Sequence, residues 1–298
     1  MRPAFFLALL FLNGVISTFA SDDKTNSPSG SVLISGEDWQ LVVANLRSAD
    51  GVTANASGEV FFSDRASNCI YRISLTGTLS VFKQQAGTGG LIFGPDGKLH
   101  ACQGSKKRVI AYDTNGVEEL LAENLQPNDL ATDHNGNLYV TDSPNKEVYL
   151  LKAGDKRVVD EGITFPNGVR FSPDQRLLYV ADYRGQFIYA FDVQTDGSLT
   201  NRRPFCHLRM SEGVTQSSAD GMTVDSLGRL YVTTEMGIQV CDKSGQVVEV
   251  IAKPQPKGPS SIGFGGNDFD TLYAACGDKL FKRKLRARGV LSFQAPIK

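Results

Sequence analysis

No charge of one sign dominates this chain: 31 basic side chains against 32 acidic ones leave a net charge of -1. That balance removes the electrostatic case for a nucleic-acid partner. Cysteine is sparse, five residues among 298 at irregular spacings, unlike the dense framework of a small secreted disulfide domain. At most two bridges can form, and most of the five are expected as buried thiols, since Cys102 and Cys276 fall in apolar runs. The three histidines, His100, His134 and His207, offer no pair at metal-ligand spacing. A Gly-x-Ser-x-Gly elbow, a Cys/His dyad and a phosphate loop are all missing in usable context, which disfavours nucleophilic side-chain catalysis.

Long apolar runs are missing too, with one short exception. Ala4 to Leu12, behind Arg2 and ahead of Thr18-Phe19-Ala20, is too short to span a bilayer and reads as part of a secretory signal peptide over residues 1–20. The mature chain is then expected to be secreted or periplasmic. No Cys stands at the cleavage site to carry a lipid anchor, so no membrane anchor is expected after cleavage. Residues 21–38, which begin with a stretch rich in Ser, Asp, Asn and Gly, are expected as a flexible leader. The fold is expected over 39–298.

What is present is a repeat. Six segments share a turn rich in Asp, Asn, Gly or Pro followed by a short apolar strand, as in Gly136-Asn137-Leu138-Tyr139-Val140-Thr141-Asp142. Taking Val60, Leu99, Leu138, Leu178, Leu230 and Leu272 as markers, the steps are 39, 39, 40, 52 and 42 residues, a blade-length period. Each unit has an upstream strand joined by a Gly-containing hairpin, and most have a third strand such as Glu147 to Leu151. Fourth strands are expected at Leu79 to Phe82, Glu118 to Leu121 and Val247 to Val250. Four antiparallel strands repeated six times, without a convincing amphipathic helix, predict an all-β, six-bladed β-propeller forming one domain. The step of 52 places an insertion between Thr195 and Gln216, expected as a loop or lid over one face. The basic stretch Lys279 to Arg286 is expected as a strand closing the ring.

Propeller function sits where blade termini converge on the axis. Counting back from the markers to the start of each inner strand reaches Asp50, Gly89, Asn128, Asn167, Asp220 and Ser260. Asn or Asp before Gly is common turn chemistry, yet four polar members at one repeat phase favour convergence on a ligand. Two carboxylates and two amides crowded in a channel repel unless a cation or proton compensates, and oxygen-only donors suit a hard divalent ion. The second strands end on the same face at Asp64, Gln103, Asp142, Asp182 and Thr234. Asp182, with Tyr183 and Arg184, and Glu235 are candidates for a hydroxyl-binding rim; strand-end caps and solvated loop charges are the other reading.

Several motifs together resemble the senescence marker protein/gluconolactonase/regucalcin group. They are Pro127-Asn128-Asp129-Leu130, Pro166-Asn167-Gly168-Val169-Arg170-Phe171, Ala219-Asp220-Gly221-Met222 and Ile262-Gly263-Phe264-Gly265-Gly266, and the likeness runs from about Asp50 to Lys284. The resemblance implies a lactone hydrolase with one divalent ion, often calcium, with magnesium, manganese and zinc as the other candidates. Its ligands would be Asp50, Asn167 and Asp220. Asn128 matches a substrate-contacting Asn and Asp129 accompanies it. The chain departs from the family pattern at Asp50-Gly51-Val52, where a Glu followed by Gly-Pro is usual, and at Gly89-Gly90, which offers no side chain.

The expected reaction is hydrolysis of a small sugar lactone, with the ion polarising the carbonyl and Asp220 activating water as general base. Asp182 is the alternative base. Two other readings stay open because fold does not decide function: a non-catalytic extracytoplasmic propeller binding a sugar or protein partner, and an aryl-ester hydrolase or paraoxonase-like lactonase.

Overall fold

The computed structural model describes Met1 and residues 30–297. The signal peptide read at 1–20 falls, Met1 apart, outside the described residues, as do residues 21–29. Of the flexible leader expected over 21–38, the described part, residues 30–38, joins the fold. Val32 is 1% exposed and packs into an apolar cluster, and Leu33 bridges to Leu285, because two apolar residues next to an open blade edge gain more by burial than by hydration.

Among the described residues, twenty-four strands form six four-stranded antiparallel sheets. A first strand, β1 (Gln40–Val43), precedes blade 1, which holds β2 (Ala49–Ala54), β3 (Val60–Asp64), β4 (Cys69–Ile73) and β5 (Leu79–Gln84). Blade 2 holds β6 (Leu91–Phe93), β7 (Leu99–Gln103), β8 (Arg108–Tyr112) and β9 (Glu118–Glu123). Blade 3 holds β10 (Pro127–Thr132), β11 (Leu138–Asp142), β12 (Glu147–Lys152) and β13 (Asp155–Glu161). Blade 4 holds β14 (Pro166–Phe171), β15 (Leu177–Asp182), β16 (Phe187–Val193) and β17 (Leu199–His207). Blade 5 holds β18 (Met222–Val224), β19 (Leu230–Thr234), β20 (Gly237–Cys241) and β21 (Val247–Ile251). Blade 6 holds β22 (Ser261–Gly265), β23 (Thr271–Cys276) and β24 (Lys279–Lys284), and β1 supplies its outer strand, with Gln40 opposite Lys282. The stretch from Lys279 is thus a third strand with Leu280 and Phe281 buried; the ring is closed outside it by the other end of the chain.

Alternation along each second strand explains why the blades cannot stand alone. Leu138 and Val140 of β11 pack toward blade 2, with Leu130 and Cys102. Tyr139 between them packs toward blade 4, with Phe171 and Val180. Repeated around the ring, this gives six apolar clusters, each between adjacent blades. Hairpin turns are set by carboxylates: Asp133 accepts the backbone N–H of Asn135 and Asn137, both at 2.9 Å, and Asp225 does the same for Leu227 and Arg229 at 3.0 Å.

Three further features frame the site. Of the insertion expected between Thr195 and Gln216, Leu199–His207 form β17, and the irregular chain after it is tied to blade 4 through Ser217 N–H to Gly185 O and Ser218 N–H to Tyr183 O. Cys206 of β17 and Cys241 of β20 form a disulfide across the interface of blades 4 and 5, while Cys102 and Cys276 are buried thiols as expected. After β24, the C-terminal segment crosses the face of the hairpin turns. Ser226 N–H bonds Arg288 O, and Gln175 donates to Ser292 O and Gln294 O. Gly289 to Phe293 thereby line a cavity of about 30 Å³ with Thr53, Ile92, Thr223 and Ile262 at that end of the channel.

Candidate active site

At the other end, four of the six repeat positions converge on one small cavity, Gly89 and Asn167 standing outside its lining. Asp50, Asn128, Asp129, Asp220 and Ser260, with Gly51, Gly90, Gly221 and Ser261, surround a cavity of about 10 Å³, the room of one water or one ion. In blades 1, 3 and 4 the inner strands carry β-bulges at this end, with pairing slips between Asp50 and Thr53, between Pro127 and Leu130, and between Pro166 and Val169, whereas Asp220 and Ser260 stand just before β18 and β22. The extra residue breaks strict alternation, so consecutive residues such as Asn128 and Asp129 both reach the axis.

Bonds between blades hold the ring. Ser63 Oγ donates to Gly89 O at 3.0 Å, Thr141 Oγ1 to Asn167 O at 2.7 Å and Ser260 Oγ to Ala49 O at 3.0 Å. Gly221 N–H donates to Ser260 O at 2.8 Å. The approach is tight enough that a Cβ at Gly168 would stand 2.1 Å from Asp220 O, and one at Gly51, where φ is +54°, would stand 2.1 Å from Gly89 O.

Burial pushes the carboxyls of Asp50 and Asp129 above the usual range, and it pushes Asp220 well above it, with the charges of Asp50 and Asp129 adding to the effect. Arg65 and the Gly51 N–H work the other way on Asp50, as does the Asn167 side chain on Asp220. Three carboxyls crowded in this way repel one another when charged, a repulsion that a proton or a bound cation would relieve. Asn167 is 4% exposed and its Oδ1 has no hydrogen-bond partner, the state of a ligand oxygen awaiting an acceptor of its lone pair. The described residues contain no group of three His, Cys, Asp or Glu placed to hold a metal, so a ligand set here has to draw on the Asn167 amide. With that oxygen included, the donors are the hard ones a divalent cation such as calcium takes. Cys102 is no candidate nucleophile: burial, then the nearby Asp129 and Asp50, push its thiol well above the ordinary range.

Above the ring lies a cavity of about 670 Å³, whose lining includes Asp50 and Asn128, and Asn68, Ser105, Gln126 and Ser143 around them. Blade 2 lines it with Gly87, Gly89 and Gly104 beside Thr88, Cys102 and Ser105. Asn128 donates through Nδ2 to Ser143 Oγ at 2.8 Å, which leaves its Oδ1 as the end available to a ligand. Asp129 lies against the inner wall, accepting the Val169 N–H at 3.2 Å; it lines the small cavity and not the large one.

Asp182 is corrected by the structure. Only 3% exposed, it accepts the backbone N–H groups of Thr164, Phe165 and Arg184 at 3.0–3.3 Å and lines neither cavity. Asp64 holds Arg47 and Ser48 in the same way. These strand-end acids pin loops, and neither a substrate nor a general-base role is open to a carboxylate so enclosed. Of the other rim candidates, Arg184 stacks on Phe165 at 4.6 Å and Glu235 pairs with Lys253 at 2.8 Å. Arg65 was not singled out by sequence reasoning, although it stands one step past Asp64 in the second polar ring. Its Nη1 is 3.4 Å from Asp50 Oδ2.

The fold has counterparts. Residues 48–276 match the family described as SMP-30/Gluconolactonase/LRE-like region, which takes in nearly the whole propeller. The chain belongs to this family. Among curated members, a gluconolactonase of Zymomonas mobilis is 22% identical, covering 93% of this chain and 89% of its own. A gluconolactonase from Xanthomonas campestris has the same fold, with TM-score 0.75 and 23% identity over 86% of this chain and 94% of its own. So does the calcium-binding protein regucalcin from Agrobacterium tumefaciens, with TM-score 0.73 and 17% identity over 88% and 98%. Within the SMP-30/gluconolactonase family, the six-bladed, all-β architecture read from the repeat therefore stands.

Proposed function

We propose that this protein is a lactonase that hydrolyses a small sugar lactone, using one divalent cation held by Asp50, Asn167 and Asp220. The observation that carries this reading is the group of half-buried carboxylates and one buried, unpartnered amide oxygen beneath a polar cavity, in a chain of a lactonase family. Calcium is the first choice of ion, in keeping with the donor set and with the calcium-binding structural relative. When bound, the ion supplies Lewis acidity for the lactone carbonyl.

The chain's own residues do the rest. Asn68, Ser105, Gln126 and the free Oδ1 of Asn128 offer hydrogen bonds to sugar hydroxyls. Asp220 takes a proton from the attacking water and returns it to the leaving ring oxygen. The water oxygen bonds to the carbonyl carbon, the ring C–O bond breaks, and a hydroxy acid results. Asp129 supports this wall through Val169 N–H and faces substrate only across the ring.

We also infer that the protein works outside the cytoplasm, secreted or periplasmic. The apolar segment after Arg2 and a disulfide, which persists in oxidising compartments, support this; N-terminal sequencing of the mature protein would test it, with cleavage after Ala20 expected.

Hydrolysis of a lactone panel by chelator-stripped protein, by protein reloaded with calcium, magnesium, manganese or zinc, and by Asp220→Ala tests the activity. Metal-dependent turnover that falls about 10²–10⁴-fold in Asp220→Ala is expected. Metal binding without turnover on any lactone would instead favour the non-catalytic binding propeller.

A further inference from the structure

Blade 2 contributes no side chain to the ring, and the vacancy is filled from blade 1. A Cβ placed on Gly89 would lie 3.8 Å from Arg65 Nε and 3.9 Å from Asp50 Oδ2, so any larger side chain at 89 would compete with both groups for this sector. The guanidinium thus occupies the sector that Gly89 leaves free, at the edge of the large cavity. Charged residues in that lining are few: Arg65 and Asp50 alone, among hydroxyls, amides, glycines and small apolar groups. Arg65 is therefore the cavity's one cation among the described residues.

We propose that Arg65 is the anion anchor of this cavity and that the substrate is a lactone bearing a second, negatively charged group away from its carbonyl. This rests on the lactonase reading. A guanidinium meant to stabilise a developing oxyanion is held rigid by several bonds and kept from water. Arg65 is 63% exposed at its side chain, and the guanidinium meets one partner at 3.4 Å. Most of its five donors remain available, which suits ground-state capture of a carboxylate, phosphate or sulfonate through a two-pronged contact. Its pairing with Asp50 also has an exchange built in: a cation that takes the Asp50 carboxylate frees the guanidinium for the substrate's own anion.

The test compares neutral gluconolactone with glucarolactone, which adds a carboxylate, and phosphogluconolactone, which adds a phosphate, in native protein, Arg65→Gln and Arg65→Lys. Charge-assisted contacts of this kind set the scale, so the ratio of kcat/KM for charged over neutral lactone is expected to fall roughly 10–100-fold in Arg65→Gln. The loss should fall in KM, be partly rescued in Arg65→Lys, and shrink as salt is raised. The carboxylate and phosphate arms show which anion the anchor prefers. Calorimetry with glucarate and with uncharged glucitol reads the anchor without turnover: glucarate binding should need Arg65 and glucitol binding should not. An equal loss on neutral and charged lactones, or glucarate binding unchanged in Arg65→Gln, would overturn the proposal. No turnover of any lactone together with Arg65-dependent glucarate binding would remove the lactonase reading and leave the anion site in place.

Discussion

Carboxylates of one residue type carry opposite jobs in this protein, and their surroundings decide which. Asp182 is ringed by three backbone N–H groups, whereas Asp220 faces Asp50 and Asp129 with few donors to offset burial. Asp182→Ala should therefore act on folding, costing about 1–3 kcal/mol for each amide left without an acceptor, and urea unfolding should register this before any change in substrate selectivity. Asp220 behaves in reverse. Because its folded-state proton affinity is raised, the folded protein holds more protons than the unfolded chain between the ordinary carboxylate range and the raised value. Its contribution to stability is thus present in acid and is lost as pH rises through that window. In chelator, Asp220→Asn should gain stability over the native protein as pH increases, by at most about 1.4 kcal/mol per pH unit. Calcium should stabilise the native protein increasingly over the same range and Asp220→Asn much less; melting curves across pH would show either pattern.

At the level of elements, bulged inner strands and glycine contacts turn a structural repeat into a site. The slips at Asp50/Thr53, Pro127/Leu130 and Pro166/Val169 take Asp50, Asn128 with Asp129, and Asn167 out of strict alternation, and Gly168 lets blade 4 lie against Asp220 O. Gly168→Ala would drive its Cβ into that carbonyl and displace Asp220 from Asn167. Calcium affinity is expected to fall roughly 10–100-fold, the range for losing support behind a ligand, and titration calorimetry would measure it. The outer strands show the opposite economy. β13 and β17 are as exposed as β5 and β9, but β13 opens on Asp155-Lys156-Arg157 and β17 runs through Asn201-Arg202-Arg203-Pro204, charged stretches that hid both, whereas β5, β9 and β21 were predicted.

The whole molecule is held as a ring by contacts between segments distant in sequence. β1 pairs with β24, the C-terminal segment spans the hairpin-turn face, and Cys206–Cys241 ties blade 4 to blade 5 across 35 residues. Closing a loop of that length restricts the unfolded chain by roughly 3–4 kcal/mol. Cys206→Ser/Cys241→Ser, or reductant on the native protein, should lower stability by about that amount, and intact-mass analysis with and without reductant would follow the bridge directly. A stability unchanged by reduction would mean the bridge adds nothing to the ring.

Sequence periodicity alone determined the propeller, its six blades and the ring positions Asp50, Asn128, Asn167 and Asp220, because each blade repeats one local pattern of turn and alternating strand. Its phase also places equivalent residues at one height around the axis. The family resemblance assigned roles to those positions. Only the tertiary structure decided that Asp182 is an enclosed loop anchor, that Arg65 enters the sector left by Gly89, that Val32 and β1 belong to the closed ring, and which cysteines pair. Those outcomes depend on which side chains from different blades come within a few ångströms of one another, a relation between distant segments to which a local pattern is blind.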